Sequence, residues 1–201
     1  MTEDIAKRLE QQVEFIKEID RLKHIFRQSY LLDTSRREND AEHSWHLAML
    51  AILLHEYAAE DAIDLLRVLK MILIHDIVEI DAGDTYCYDE KANEDKEQRE
   101  RRAADRLFGL LPADQRDEFQ ALWEEFEAMN SPESKFAAAL DRFQPLLLNY
   151  FTDGKSWREH DIARSQVLQR NERIGNGAPA LWEYASAMIE DAVKNGWLRD
   201  A

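Results

Sequence analysis

Between residues 5 and 25 the apolar side chains Ile5, Leu9, Val13, Ile16, Ile19 and Leu22 recur every three or four positions with charges between them. That period predicts a helix with one apolar stripe. A polar stretch over 32–40 carries Arg36 and Arg37 and ends in Asn39 and Asp40, either of which suits the cap of a second helix over 41–58. Asp61 is a candidate cap for a third helix over 62–79, and its apolar content predicts burial around most of its circumference. The next stretch, 80–90, holds Gly83 and a cluster of Asp and Tyr and reads as a loop that walls a site.

Residues 91–108 are densely charged, with Asp95 before Arg99 and Glu97 before Arg101 at helical spacing, which predicts a solvated helix. Leu111-Pro112 breaks that pattern ahead of a helix over 113–129, and Ser131-Pro132-Glu133 marks the start of another over 132–151. The latter carries Asp141 among Phe136, Ala139, Leu140, Phe143 and Leu147. Pro145 has no N–H for the Asp141 carbonyl, so a kink or an unpaired carbonyl is expected there. Helices over 160–174 and 179–195 close the chain around Gly175-Asn176-Gly177. The expectation is an all-α fold of seven or eight helices in a single domain, 1–201, with the segment 155–201 packed on the rest.

Composition agrees: 201 residues suit one core, and 45% hydrophobic residues with six Gly and four Pro favour helices. The 26 basic against 41 acidic residues, a formal charge of −15, exclude a nucleic-acid polymer as the natural partner. Small anionic substrates stay compatible, because a bound cation and a few arginines reverse the local potential. Cys87 is the one cysteine, so no internal disulfide forms and a reducing cytoplasm is expected. No signal-like or membrane-spanning apolar run is present, so no membrane association is expected.

His75-Asp76-Ile77-Val78-Glu79 puts three ionisable groups at the end of an otherwise apolar helix, which is costly unless the charges are compensated. A divalent cation lying between the imidazole and the carboxylate would compensate them. His43, within Glu42-His43-Ser44, and Asp141, within a later helix, add further ligand-type residues near apolar neighbours.

A histidine, then a His-Asp pair, then a distant aspartate resembles the HD-domain superfamily of metal-dependent phosphohydrolases. The likeness is closer to its compact branch, which holds the bacterial 5′-deoxynucleotidases and related HD-domain-containing proteins, through Glu42-His43-Ser44, His75-Asp76, Glu79, Gly83-Asp84 and Asp141 over about residues 20 to 150. The resemblance implies His43, His75, Asp76 and Asp141 as ligands of a divalent metal. A set of two nitrogens and two oxygens does not choose among manganese, cobalt, nickel, iron, zinc or magnesium. Residues 77–140 contain no histidine, and larger two-metal relatives use additional ones there, so one ion and phosphomonoester hydrolysis are expected.

Glu79, one turn beyond His75, is the candidate proton-transfer residue. Asp84 is implied on the substrate side, bonded to a sugar hydroxyl, with proton transfer to the leaving group as the alternative. By the same resemblance Arg27, expected at the end of the first helix, is the candidate phosphate clamp, with Arg36 or Arg37 as alternatives. Gln28 stands where the bacterial deoxynucleotidases carry a bulky aromatic, which leaves the preference for deoxyribose open. His46 is expected to be buried and structural, His24, His55 and His160 to serve as surface or packing residues, and the five tryptophans to form core or dimer contacts.

The implied reaction is hydrolysis of a nucleoside 5′-monophosphate by a cytoplasmic homodimer acting on a small phosphorylated substrate. A non-catalytic module that binds metal and nucleotide, or a phosphatase for another metabolite, is the alternative.

Overall fold

The computed structural model describes residues 2–201, the side chain of Glu90 excepted. Helix α1 (Glu3–Ile19) starts at Thr2, whose hydroxyl accepts from the Ile5 N–H. Phe15 is its one buried residue, while Ile5, Leu9, Val13 and Ile16 are all exposed. The expected helix over 5–25 therefore ends early: α1 tightens into a 3-10 turn (Asp20–His24), and the backbone is extended at Ile25.

A two-stranded antiparallel ribbon follows, β1 (Phe26–Tyr30) with β2 (Arg37–Asn39), in a stretch where the sequence pattern signals no strand. The register is irregular between Phe26 and Tyr30, and such a bulge re-aims the side chains that it carries, here including Arg27. Arg27 thus lies on a strand and not at a helix end.

Asn39 caps α2 (Asp40–Leu54) in a box with Glu42, whose carboxylate accepts from the Asn39 N–H in return. After a 3-10 turn (His55–Tyr57), α3 (Leu65–Ile74) begins behind Asp64, not Asp61. It is buried on one side only: Val68, Met71 and Ile72 are at 0% exposure, but Leu66 and Leu73 are at 63% and 51%. A 3-10 turn (His75–Val78) and the short α4 (Glu79–Ala82) follow directly, ending at Gly83 with φ +77°. That positive φ is a conformation that favours glycine.

Helices α5 (Glu90–Asn93) and α6 (Lys96–Phe108) occupy the charged stretch. The solvated-helix expectation holds for one face of α6; the other buries Ala103, Ala104, Leu107 and Phe108 and packs on α4 and α7 (Ala113–Ala128).

Helix α8 (Pro132–Phe151) is the axis of the molecule and packs against α2, α3 and α7. A box between Ser131 and Ser134 caps it, and it continues through Pro145 as one helix, with the Asn149 amide donating to the Pro145 carbonyl. Phe136, Ala137 and Leu140 are fully buried along it. The chain ends with α9 (Lys155–Glu159), α10 (Arg164–Asn171), α11 (Ile174–Gly177) and α12 (Pro179–Lys194). The expected helix over 160–174 starts only at Arg164, because Asp161 adopts a left-handed φ of 52° and interrupts the run. Gly177 lets α11 approach α8: a Cβ there would stand 2.1 Å from the Lys135 carbonyl oxygen. One contiguous cluster of buried side chains runs from Phe15 to Leu198.

Candidate metal centre

The capping box that starts α2 fixes the azimuth of His43, which is fully buried three residues after Asp40. Its Nδ1 lies 3.0 Å from Gln144 Oε1. The Gln144 amide is oriented in turn, because its Nε2 donates to Glu38 Oε1 at 2.8 Å, so Oε1 is the acceptor and His43 Nδ1 is the donor. His75 is held the same way: its Nδ1 donates to the Ile72 carbonyl at 2.7 Å. Both imidazoles therefore turn Nε2 inward. His43 Nε2 lies 3.1 Å and His75 Nε2 3.6 Å from the same Asp141 oxygen.

Donor atoms of His43, His75 and Asp141 fall within 4.8 Å of one another. Asp76 borders the group, with one oxygen 3.1 Å from His75 Nε2 and the other 3.9 Å from His43 Nε2, although its carboxylate clusters with Asp40 and Glu79. All four residues singled out from the sequence thus meet in one place. The turn from α3 into the 3-10 segment brings this about, since residues three apart in a 3-10 turn eclipse and Asp76 and Glu79 share a face.

Around this group lies a second layer that sequence reasoning missed in part. Asp40 is fully buried, and its carboxylate sits with those of Asp76 and Glu79 in a cluster whose oxygens lie within 4.8 Å. Arg27 reaches into the cluster, donating to Asp76 Oδ2 at 2.7 Å and to Asp40 Oδ1 at 3.3 Å, and stands 3.9 Å from Asp141. Burial and the Asp76 charge push the Asp40 carboxyl up to about 7 against the pull of Arg27. Burial, Asp76 and Asp40 likewise hold Glu79 well above the usual carboxyl range.

Burial pushes Asp141 up as well, but the bonds to His43 and His75 prevail and hold it well below the usual range. Burial and Arg27 oppose charge on His43, yet Asp141, Glu38 and Asp76 outweigh them and push it up to about 9. Asp40 had a linear signal, since it precedes His43 by three residues on one helical face; Glu38 and Gln144 had none, because only the folded chain brings them to His43.

The cleft in front of these groups measures about 230 Å³ and is lined by Arg27, Gln28, Glu79, Asp84, Lys96 and Arg142 among others. Asp84 is thus at the cleft, with burial raising its carboxyl above the usual range. Arg36 is taken up by Glu42, and Arg37 lies 5.7 Å from the Tyr30 ring, so of the three candidate arginines Arg27 is the one brought to the carboxylates. His46 is half-buried and its Nδ1 lies 3.0 Å from Gln144 Nε2, a supporting contact outside the donor cluster. His160 packs on Tyr86, and His55 bonds the Ile52 carbonyl. Trp123 and Trp157 are core residues, whereas Trp45 is 65% exposed.

The donor set fits a divalent ion. Among the described residues His75 Nε2 is buried without a hydrogen-bond partner, and with His43 Nε2 it is aimed at the same carboxylate, an arrangement that a cation between them would satisfy.

The model of the HD domain family matches residues 19–182. The chain belongs to that family. Within it, the chain is 54% identical to a protein of Magnetospirillum magnetotacticum MS-1 whose crystal structure is described as that of a "predicted metal-dependent phosphohydrolase"; the two superpose with a TM-score of 0.92 over 96% of each chain. It is also 30% identical to the human 5'-deoxynucleotidase HDDC2 over 136 residues, 67% of this chain and 65% of that protein. The fission-yeast 5'-deoxynucleotidase hdd1 is 24% identical over 193 residues, 94% of this chain and 87% of that protein. The HD fold accounts for the arrangement above: a compact helical body with its histidines and aspartates gathered from α2, the end of α3, and α8.

Proposed function

We propose that this chain is a metal-dependent phosphomonoester hydrolase acting on nucleoside 5'-monophosphates, deoxy forms included, with His43, His75, Asp76 and Asp141 as the ligands of one divalent ion. The observation that carries the reading is the pair of imidazoles whose Nδ1 atoms are both engaged, so that both Nε2 atoms face Asp141 in a buried site. Similarity to proteins described as 5'-deoxynucleotidases supports the substrate class. The ion, when bound, would supply Lewis-acid polarisation of the phosphoryl group and a more acidic water.

The residues of the chain do the rest. Arg27, buried beside Asp76 and Asp40, presents a guanidinium to phosphate oxygens and offsets the carboxylates around it. Glu79, whose carboxyl burial and its acidic neighbours hold well above the usual range, is the group placed to supply the proton that the departing sugar oxygen needs. Asp84, on the loop wall, accepts from a sugar hydroxyl. Gln144 and Glu38 position His43 without touching substrate.

We place the working protein in the cytoplasm as a homodimer. The single cysteine supports the first, and the exposed Trp45, Met49, Ile52 and Leu53 along α2 support self-association. No helix among the described residues is long and apolar enough to cross a membrane.

The test is phosphate release from deoxynucleoside and ribonucleoside 5'-monophosphates by protein of measured metal content. Expected is turnover that needs the ion and is lost in Glu79→Gln with the ion retained. Full activity in metal-stripped protein would overturn the reading.

A further inference from the structure

Four cationic side chains line the cleft: Arg27, Lys96, Arg142 and Arg170. Two of them are spoken for. Arg27 serves the carboxylates of the metal centre, and Lys96 pairs with Glu100 at 3.2 Å. Arg142 and Arg170 are different, since among the described residues neither is ion-paired with a carboxylate, although the chain carries a formal charge of −15.

Arg142 follows Asp141 on α8, but its guanidinium turns back along the helix. Nη1 donates to the Ala138 carbonyl at 2.9 Å, Nη2 lies 3.7 Å from Met129 Sδ, and Nε is buried with no partner. Arg170 reaches the same cleft from α10 and shares its wall with Arg142, Cys87 and Tyr88. Two cations that line one cleft without carboxylate partners are left short of acceptors, and an acceptor-rich group bound between them would supply these.

We propose that Arg142 and Arg170 form a second subsite of the cleft, which selects substrates whose leaving group presents hydrogen-bond acceptors. It rests on the hydrolase reading only for the direction of the substrate, phosphate toward the metal centre and leaving group toward α10. Two sources supply the required chemistry: a base edge made of acceptors, as in guanine with its O6 and N7, or a second phosphate on the sugar. Adenine presents an amino donor in place of O6 and matches two guanidinium groups poorly.

The test compares dGMP, dAMP, 2'-deoxyadenosine 3',5'-bisphosphate and deoxyribose 5-phosphate on metal-loaded protein. The readout is kcat/KM, or the dissociation constant by calorimetry for any compound that is not turned over. Expected is a preference on the order of tenfold over dAMP for dGMP or for the bisphosphate, and which of the two shows it identifies the source. In Arg142→Gln and in Arg170→Gln that preference falls to about threefold or less, while deoxyribose 5-phosphate changes far less than the preferred compound. Arg170 is exposed on α10, so its variant retains the fold if the Arg142 variant does not.

Equal weakening of all four compounds would assign the pair to the scissile phosphate and overturn the proposal, as would the absence of any preference in the parent protein. Preferential binding without phosphate release would overturn the hydrolase reading alone.

Discussion

The two ends of the cleft are built in opposite ways. At the metal end the side chains rise from two paired strands, a capped helix start, a tight turn and α8, and most have a polar partner: Arg27 on Asp76, the imidazoles on Asp141, and Gln144 between His43 and Glu38. At the other end the cleft is lined by the segment after Gly83 together with Arg142 and Arg170, neither of which is ion-paired among the described residues. Chemistry that tolerates little displacement sits on the rigid frame. Selection among leaving groups sits on the part that can change without disturbing it.

This contrast is broken most severely at the metal end. His75→Ala removes one inward nitrogen and is expected to abolish metal binding and lower phosphate release by at least about a thousandfold, on the order of what an activated nucleophile and charge neutralisation contribute. Metal analysis alongside the assay checks both, and retained stoichiometric metal would count against His75 as a ligand. A smaller effect is expected one step out: Gln144→Leu deprives His43 Nδ1 of its acceptor, and metal affinity should fall about 10–100-fold while the helix persists. An unchanged affinity in a metal titration would mean that Gln144 does not orient His43.

Gly83→Ala attacks the other end. A Cβ there meets nothing within 4 Å, so the cost is the strained backbone alone, about 1–3 kcal/mol. Denaturant unfolding should register that loss, with KM raised and metal content unchanged; a loss of metal would show that the two ends are not separable.

The smallest effect concerns Asp40 in metal-stripped protein. Its folded pKa of about 7 lies above its usual value of 3.8, so the folded chain holds a proton that the unfolded chain has released between those values. The stabilisation is therefore fully present below about 4 and is lost as the pH rises through 7. Asp40→Asn should flatten the fall in stability between pH 4 and 7, and an equally steep fall in the variant would place the titration elsewhere.

Much of the metal end was legible in the sequence because its signals are local. His75, Asp76 and Glu79 fall within five residues, His43 follows a capping motif, and Asp141 stands out on an apolar helix. The eight longer helices followed from periodicity and caps for the same reason. The ribbon at residues 26–39 was not legible, because its pairing and its bulge are set by tertiary contact, and with it went the true setting of Arg27. Gln144 and Glu38 looked ordinary in the chain, since 106 residues separate the two partners of their hydrogen bond. Arg142 was hidden by its neighbour: beside Asp141 it reads as a routine helix charge, and only the fold brings it to the same cleft as Arg170.

The most direct test of the account is phosphate release from a 5'-deoxynucleotide by one preparation, stripped of metal and then titrated with a divalent ion. Activity should be absent at the start, rise with ion added, and saturate at one ion per chain. Activity that is complete before any ion is added, or saturation at two ions per chain, would contradict a single centre formed by His43, His75, Asp76 and Asp141.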